Sequence, residues 1–266
     1  MNDSIEISVV DGGVESLGEL DQTKLERAYS LNLHHNMIRC IEGLGSAINL
    51  RHIDLSSNFI SKICGLERLS SLRTVNLSSN RIRRVEGLKY LKSLVRLDLS
   101  FNQLEDLEGL KELHGHDYRL TVVHLQGNRL TSLGHLVCCT VGLIYLKQLT
   151  VYDHEIEANN PLCHVPDYRR LVMNGLPQLE ILDNLDWNDR PVRLDVLADL
   201  TELSRFLDYV SSSSLSEANE TERQIQEACI RDFRSRTRSR PTRMLPLETS
   251  VVQTESHNVH VDVRVF

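Results

Sequence analysis

An α/β solenoid with a parallel sheet on its concave face is the fold this sequence predicts, on three observations. Apolar residues return with a period of 22 across the first half of the chain. One asparagine returns with them, once per period. The last copy is followed by a proline-containing segment whose pattern is helical, as expected where a stack is closed.

The period is seen by setting "LRHIDLSSNFISKICGLERL" from Leu50 above "LRTVNLSSNRIRRVEGLKYL" from Leu72 and "LVRLDLSFNQLEDLEGLKEL" from Leu94. It reaches back to "YSLNLHHNMIRCIEGL" at Tyr29 and forward to "LTVVHLQGNRLTSLGHL" at Leu120. The shared pattern, LxxLxLxxNxIxxIxGLxxL, is the leucine-rich repeat in its 22-residue intracellular form. In xLxL the two apolar residues share one face, because side chains of an extended segment alternate. No copy buries that face alone, so copies stack, with strands about 4.8 Å apart. About six repeats are expected over residues 25–158, preceded by an N-terminal cap region over 1–24.

Asn36, Asn58, Asn80, Asn102 and Asn128 fall where each chain leaves its strand. An amide offers two donors and an acceptor, enough to satisfy turn backbone of its own repeat and the next, so these residues are assigned to structure. Gly43, Gly65, Gly87 and Gly109 recur where the chain bends with tight backbone approach.

The period then lengthens. Asn102 to Asn128 is 26 residues, with the excess in "HGHDYR", and Leu120 to Leu146 is again 26, with "HLVCCTVGLIYL" as a longer, helical return. His114, His116 and His124 lack further ligands at a closed-site spacing, so the loop is expected to hold solvated imidazoles. "LKQLTV" from Leu146 supplies a sixth strand, after which the polar excursion "YDHEIEANN" stands in place of the ladder asparagine.

"NNPLCHVPDYRRLVMNGLPQLEILD" is read as a helical C-terminal cap over 159–186, with Leu171, Val172, Leu176, Leu179 and Leu182 covering the last repeat. Cys163 and His164 are sequence neighbours whose side chains diverge, which argues against a nucleophile with its base. Beyond the cap, Leu194, Leu197, Leu200, Leu203, Phe206 and Val210 make an amphipathic helix over 187–210. A Ser-rich linker and an Arg-rich, mostly disordered tail fill 211–266. Arg231, Arg234, Arg236, Arg238, Arg240 and Arg243 form a candidate polyanion contact there.

The chain has 266 residues and a formal charge of -7, which disfavours a globally electrostatic grip on nucleic acid or an anionic membrane. The start carries no secretory pattern, and the longest apolar run, Leu136 to Leu146, is too short to span a bilayer. Six scattered cysteines fit reduced thiols in the cytoplasm. No cofactor, metal or small-molecule substrate is expected, nor enzyme activity.

The "NxIxxIEGL" copies and the Asn-Pro, Tyr-Arg, "LPQLEILD" cap resemble the intracellular class that includes a protein phosphatase 1 regulator, the spliceosomal A-prime protein and several ciliary proteins. Both extended repeats, and the acidic insertion before Asn160 and Pro161, resemble the N-terminal region of the leucine-rich repeat and coiled-coil centrosomal family over residues 17–185. That resemblance implies a protein-interaction scaffold of the centrosome and centriole, with a role in mitotic spindle-pole and ciliary organisation. The long coiled coil of that family has no heptads here to specify it, so a short form is expected. The alternatives are a ribonucleoprotein assembly subunit like the A-prime protein, or a phosphatase 1 regulatory-type adaptor. The expected working surface is the concave sheet, where Asn32, Asp54, Asn76, Asp98 and His124 align in one column, and His34, Ser56, Ser78, Ser100 and Gln126 in the next.

Overall fold

Each xLxL segment forms a short strand, and all of them join one parallel sheet. The computed structural model describes residues 5–154 and 157–192. The strands β1 (Ile5–Ser8), β2 (Ala28–Asn32), β3 (His52–Asp54), β4 (Thr74–Asn76), β5 (Arg96–Asp98), β6 (Val122–His124), β7 (Gln148–Thr150) and β8 (Ile181–Leu182) pair in sequence order. Leu31, Ile53, Val75, Leu97, Val123, Leu149 and Leu182 lie in one register row and are all buried. The period-two pattern thus becomes a continuous apolar spine, the main stabilising feature of a stack in which each repeat touches only its neighbours.

Two strands lie outside the expected repeats. Ile5–Ser8 pairs with β2 inside the segment read as an N-terminal cap, and Ile181–Leu182 pairs with β7 inside the C-terminal cap. Neither carries a full repeat motif, so the 22-residue search does not find them. Each end of the array is closed by a strand of the sheet together with a helical turn, Gln22–Leu25 (α1) at one end and Tyr168–Gly175 (α3) at the other.

The asparagine ladder is built as its chemistry requires. Asn80 accepts from the Ile60 amide at 2.9 Å and donates to the carbonyls of Leu55, Leu77 and Ser78. Asn58 and Asn102 repeat this pattern, and Asn128 accepts from the Leu104 amide while donating to Leu99 and Leu125. Asn36 reaches into the N-terminal segment, accepting from Gly12 and Val14. The residue before each rung is left-handed, with φ of 56° at His35, 56° at Ser57, 55° at Ser79, 54° at Phe101 and 69° at Gly127.

The ladder does not stop at Asn128. Asn160, fully buried, accepts from the Leu130 amide at 3.0 Å and donates to Leu125 and Val151. It stands nine residues after its strand carbonyl where Asn128 stands three after its own, because the polar excursion loops out and returns. The rung expected to be missing is therefore present and displaced in sequence. The recurring glycines meet the close approach anticipated for them: a Cβ on Gly109, which has no positive φ, would lie 1.9 Å from the Val85 carbonyl oxygen.

Asp183 ends the series. One carboxylate oxygen accepts from the Val151 and Tyr152 amides at 2.7 and 2.9 Å, and the other accepts from the Tyr168 hydroxyl at 3.0 Å. Burial pushes its carboxyl above the usual range, against the lowering effect of those donors and of Arg169. A group that holds its proton more tightly when folded contributes stability fully below the unfolded pKa, about 3.9, and loses it as pH rises through the raised value. Asp183→Asn keeps acceptor and shape, and asparagine tolerates the φ of 53°. We expect it to be neutral or stabilising by up to about 1 kcal/mol at neutral pH and to flatten the pH profile, whereas Asp183→Ala costs about 3 kcal/mol. Urea midpoints across a pH series check both, and an Asn variant as unstable as the Ala variant would show that the charge itself is needed.

In the cap, Tyr168, Val172, Met173, Leu176, Leu179 and Leu182 are buried, while Leu171 is exposed. The expectation for Leu171 is thus corrected: α3 buries Tyr168, Val172 and Met173, with Leu176 just after it, and at about 100° per residue that face is centred roughly 120° away from position 171. Arg169 holds the chain beyond the cap, donating to the carbonyls of Leu182 at 2.6 Å and Leu185 at 3.2 Å. Residues 187–192 form turns and a bridge between Leu185 and Pro191. The rest of the expected helix 187–210, and the linker and arginine cluster of 211–266, lie outside the described residues.

Candidate protein-interaction surface

The sheet turns its non-core face outward, and register sets what that face displays. Asn32, Asp54, Asn76, Asp98 and His124 occupy one row, extended by Thr150. The row before it reads Ser30, His52, Thr74, Arg96, Val122 and Gln148, in which His52 and Arg96 are exposed.

These side chains are held rather than loose. Asp54 accepts from the Ser56 amide at 2.8 Å and its hydroxyl at 2.5 Å, and Asp98 does the same with Ser100 at 2.9 and 2.6 Å. Asn76 donates to the second oxygen of Asp54 at 3.0 Å and accepts from the Ser78 amide. His34 Nδ1 lies 2.7 Å from the Ser56 hydroxyl, and His124 Nδ1 lies 3.1 Å from that of Thr150. Burial lowers the pKa of His124, against the raising effect of Asp98. Most side chains of the first column are therefore held by hydrogen bonds before any partner arrives, in a group from Asn32 to Ser78 and two separate pairs, Asp98 with Ser100 and His124 with Thr150. Gln126 Oε1, in the next column, is buried with no hydrogen-bond partner among the described residues.

The histidines of the extended repeat have unequal roles. His116 is exposed, as expected for the loop, but His114 is half-buried with Nε2 2.9 Å from the Cys139 carbonyl oxygen. It packs so closely that a Cβ on Gly142 would meet its ring at 2.2 Å. His114 thus ties one return to the next, while His116 projects into solvent.

A cluster that sequence inspection missed lies close by. Ligand-type atoms of Glu108, His135 and Cys139 all fall within 4.8 Å of one another. The signal was a His and a Cys four apart on α2 (Leu133–Thr140), one face of a helix. The Cys139 sulfur is 3.8 Å from Nδ1 and 3.7 Å from Nε2 of His135, so it lies over the ring, whereas a metal sits on one in-plane lone pair. Nε2 already accepts from the Leu107 amide at 3.0 Å, and Glu108 takes the Lys111 ammonium at 2.8 Å. Burial pushes the Cys139 thiol up to about 11. The trio joins α2 to the preceding 3-10 return, Glu108–Leu113, and in this arrangement is no coordination shell.

Cys163 is half-buried, its sulfur 3.8 Å from the Val151 carbonyl oxygen, and burial pushes its thiol up to about 11. His164 is exposed. A thiol so raised is a poor nucleophile at neutral pH. No described helix is long and apolar enough to cross a membrane.

Register, ladder and spine agree with the comparisons to known proteins. The family described as leucine-rich repeats, two copies, matches residues 70–112. The described residues fold as a leucine-rich repeat solenoid. The chain is similar to the human leucine-rich repeat and coiled-coil domain-containing protein 1, 50% identical over 210 residues, covering 78% of this chain and 20% of the human protein. The Xenopus laevis protein of the same name is 51% identical over 207 residues, covering 77% of this chain and 20% of that one. This chain therefore spans about a fifth of the length of its curated relatives. Among solved structures, an internalin of Listeria monocytogenes aligns over 64% of this chain and 51% of its own at 21% identity, with a TM-score of 0.46.

Proposed function

We propose that this chain is a non-catalytic protein-interaction scaffold that works at the centrosome and centriole and contributes to mitotic spindle-pole and ciliary organisation. What supports the scaffold reading most is the outward sheet face, where register lines up ordered polar side chains over five strands. A partner docking there spends little entropy on ordering the platform. Beside that row, His52 and Arg96 are exposed and within reach of a partner. The place of work is supported by the cap and the two extended repeats, which this chain shares with the centrosomal family it resembles.

The test is recruitment of the tagged full chain in dividing cells. Asp54→Lys combined with Asp98→Lys reverses the charge of the platform and is expected to lower the centrosomal signal about tenfold, with folding checked by a thermal melt. A folded double variant recruited like the wild type would remove this face as the site. RNA-dependent co-purification with nuclear retention would favour the ribonucleoprotein reading instead.

A further inference from the structure

A second row runs along the edge where the strands end. The residue after each ladder asparagine is Met37, Phe59, Arg81, Gln103 or Arg129. Their amides donate to the preceding repeat, Phe59 to the Ile38 carbonyl at 2.9 Å, Arg81 to Ile60 at 2.8 Å and Gln103 to Ile82 at 2.9 Å. The row therefore stacks at roughly the strand spacing of about 4.8 Å. The side chains stack too, with the Arg81 guanidinium 4.5 Å from the centroid of the Phe59 ring.

What this edge exposes is unlike a solvated face. Met37 is 49% exposed, Phe59 36% and Phe101 39%. Methionine, aromatics and arginine are the types enriched where proteins meet. Phe101 is costly twice, as an exposed ring and as a bulky residue at a φ of 54°, a strain of about 1 kcal/mol or more. His35, Ser57, Ser79 and Gly127 fill the equivalent positions, so the turn itself does not demand an aromatic ring.

The charges are also sorted. At the two ends of the edge they are paired, His35 with Asp11 at 3.1 Å and Arg129 with Glu105 at 3.9 Å. Between those ends, Arg39, Arg81 and Arg83 have no carboxylate within ion-pair distance among the described residues, and Arg83 Nε reaches only the Gln103 amide oxygen, at 3.4 Å. On a chain of net charge -7 this is a local cationic strip that selects for a complementary ligand.

We propose that this edge docks an acidic polypeptide segment of another protein, its carboxylates on Arg39, Arg81 and Arg83 and an apolar side chain against Phe59 and Phe101. The proposal rests on the reading of the chain as an interaction scaffold and adds the chemistry of a partner and a surface distinct from the outward sheet face. Arginine favours carboxylates through its planar fork, and the aromatic neighbours give the segment an anchor that charge alone lacks.

The experiment uses the full chain and two fluorescent synthetic peptides, one glutamate-rich with a central Leu-Phe pair and the other with every Glu replaced by Lys, read by anisotropy. We expect saturable binding of the acidic peptide only, weakened at least about tenfold by Arg81→Glu with Arg83→Glu and several-fold by Phe59→Ala. Changing the six tail arginines, Arg231 to Arg243, to alanine is expected to leave it within about twofold. Equal binding of the lysine peptide, or loss with the tail variant and none with the edge variant, overturns the proposal. Failure here is separable from failure of the scaffold reading: loss of centrosomal recruitment in the Asp54→Lys, Asp98→Lys chain, with peptide binding tracking the tail, removes the edge and leaves the scaffold.

Discussion

Asn160→Leu is expected to destabilise the protein as severely as Asn80→Leu, by about 4 kcal/mol, with a large fall in the urea midpoint. Each replacement fills a similar volume with an apolar group and takes hydrogen bonds from its partners. For Asn80 the Ile60 amide loses its partner, and the carbonyls of Leu55, Leu77 and Ser78 each lose one of two donors. For Asn160 the Leu130 amide loses its partner, Leu125 keeps only Asn128, and Val151 keeps only the weak Cys163 thiol. A buried backbone group left without a partner costs roughly 1–3 kcal/mol. The two variants should differ in manner. Asn80 sits mid-stack, where repeats on both sides lose a neighbour, whereas Asn160 sits beside the last strands, so the C-terminal repeats should open first. Hydrogen exchange at Leu125 and Leu149 would show that order. An Asn160→Leu midpoint equal to wild type would mean that the hydrogen bonds of this residue are incidental.

Asn160 also marks where sequence reading reached its limit. Rungs at a constant spacing are visible by alignment, because strand, turn and return have fixed lengths that place the amide in the same spot. An insertion between strand and turn leaves the physics intact and destroys the spacing, so a buried rung looked like part of a polar loop. The chemical clue was Asn before Pro161: the ring of Pro161 fixes the start of the 3-10 turn Pro161–His164, leaving Asn160 extended at φ of -107° and ψ of 151°. Asp183 was harder, since a carboxylate reads as a surface residue until the Tyr168 hydroxyl and two amides are known to meet it.

The interaction surfaces were legible to a lesser degree. Alternation along each strand picked out the row Asn32, Asp54, Asn76, Asp98 and His124, which share one register position, whereas Ser56 and Ser100 of the next column are buried. That Asp54 and Asp98 are bonded to the serines two residues on follows from a local motif present in "DLSS" and "DLSF", and it makes the platform ordered rather than merely acidic. The Met37, Phe59, Arg81 edge was invisible, because residues flanking the asparagines read as turn filler one repeat at a time. The stacking of repeats brings them together, with Arg81 set on the ring of Phe59.

Ending the chain at Ala158 is expected to have the largest effect of all, abolishing a soluble, cooperatively folded product. The cut removes Asn160, Asp183 and the seven buried apolar side chains of Leu162, Tyr168, Val172, Met173, Leu176, Leu179 and Leu182. At roughly 1.5–3 kcal/mol for each buried side chain, the gross apolar term is on the order of 10–20 kcal/mol, as large as the whole stability of an ordinary domain. Ordering the segment offsets part of that, but the remaining repeats gain nothing from its release. Leu149 and Val151 would then have no neighbour on one side, and the edge of β7, relieved of β8, would present unpaired backbone for association. We expect most of the truncated chain in the insoluble fraction, and any soluble remainder to bind a hydrophobic dye and melt without a sharp transition. Adding back 159–186 should restore both, whereas 159–192 should do better, because it adds the Asp189 carboxylate that anchors Arg169 and the bridge from Pro191 to Leu185. A truncated protein that melts cooperatively at the wild-type temperature would show that the repeats close themselves and that the cap is an ornament on a finished stack.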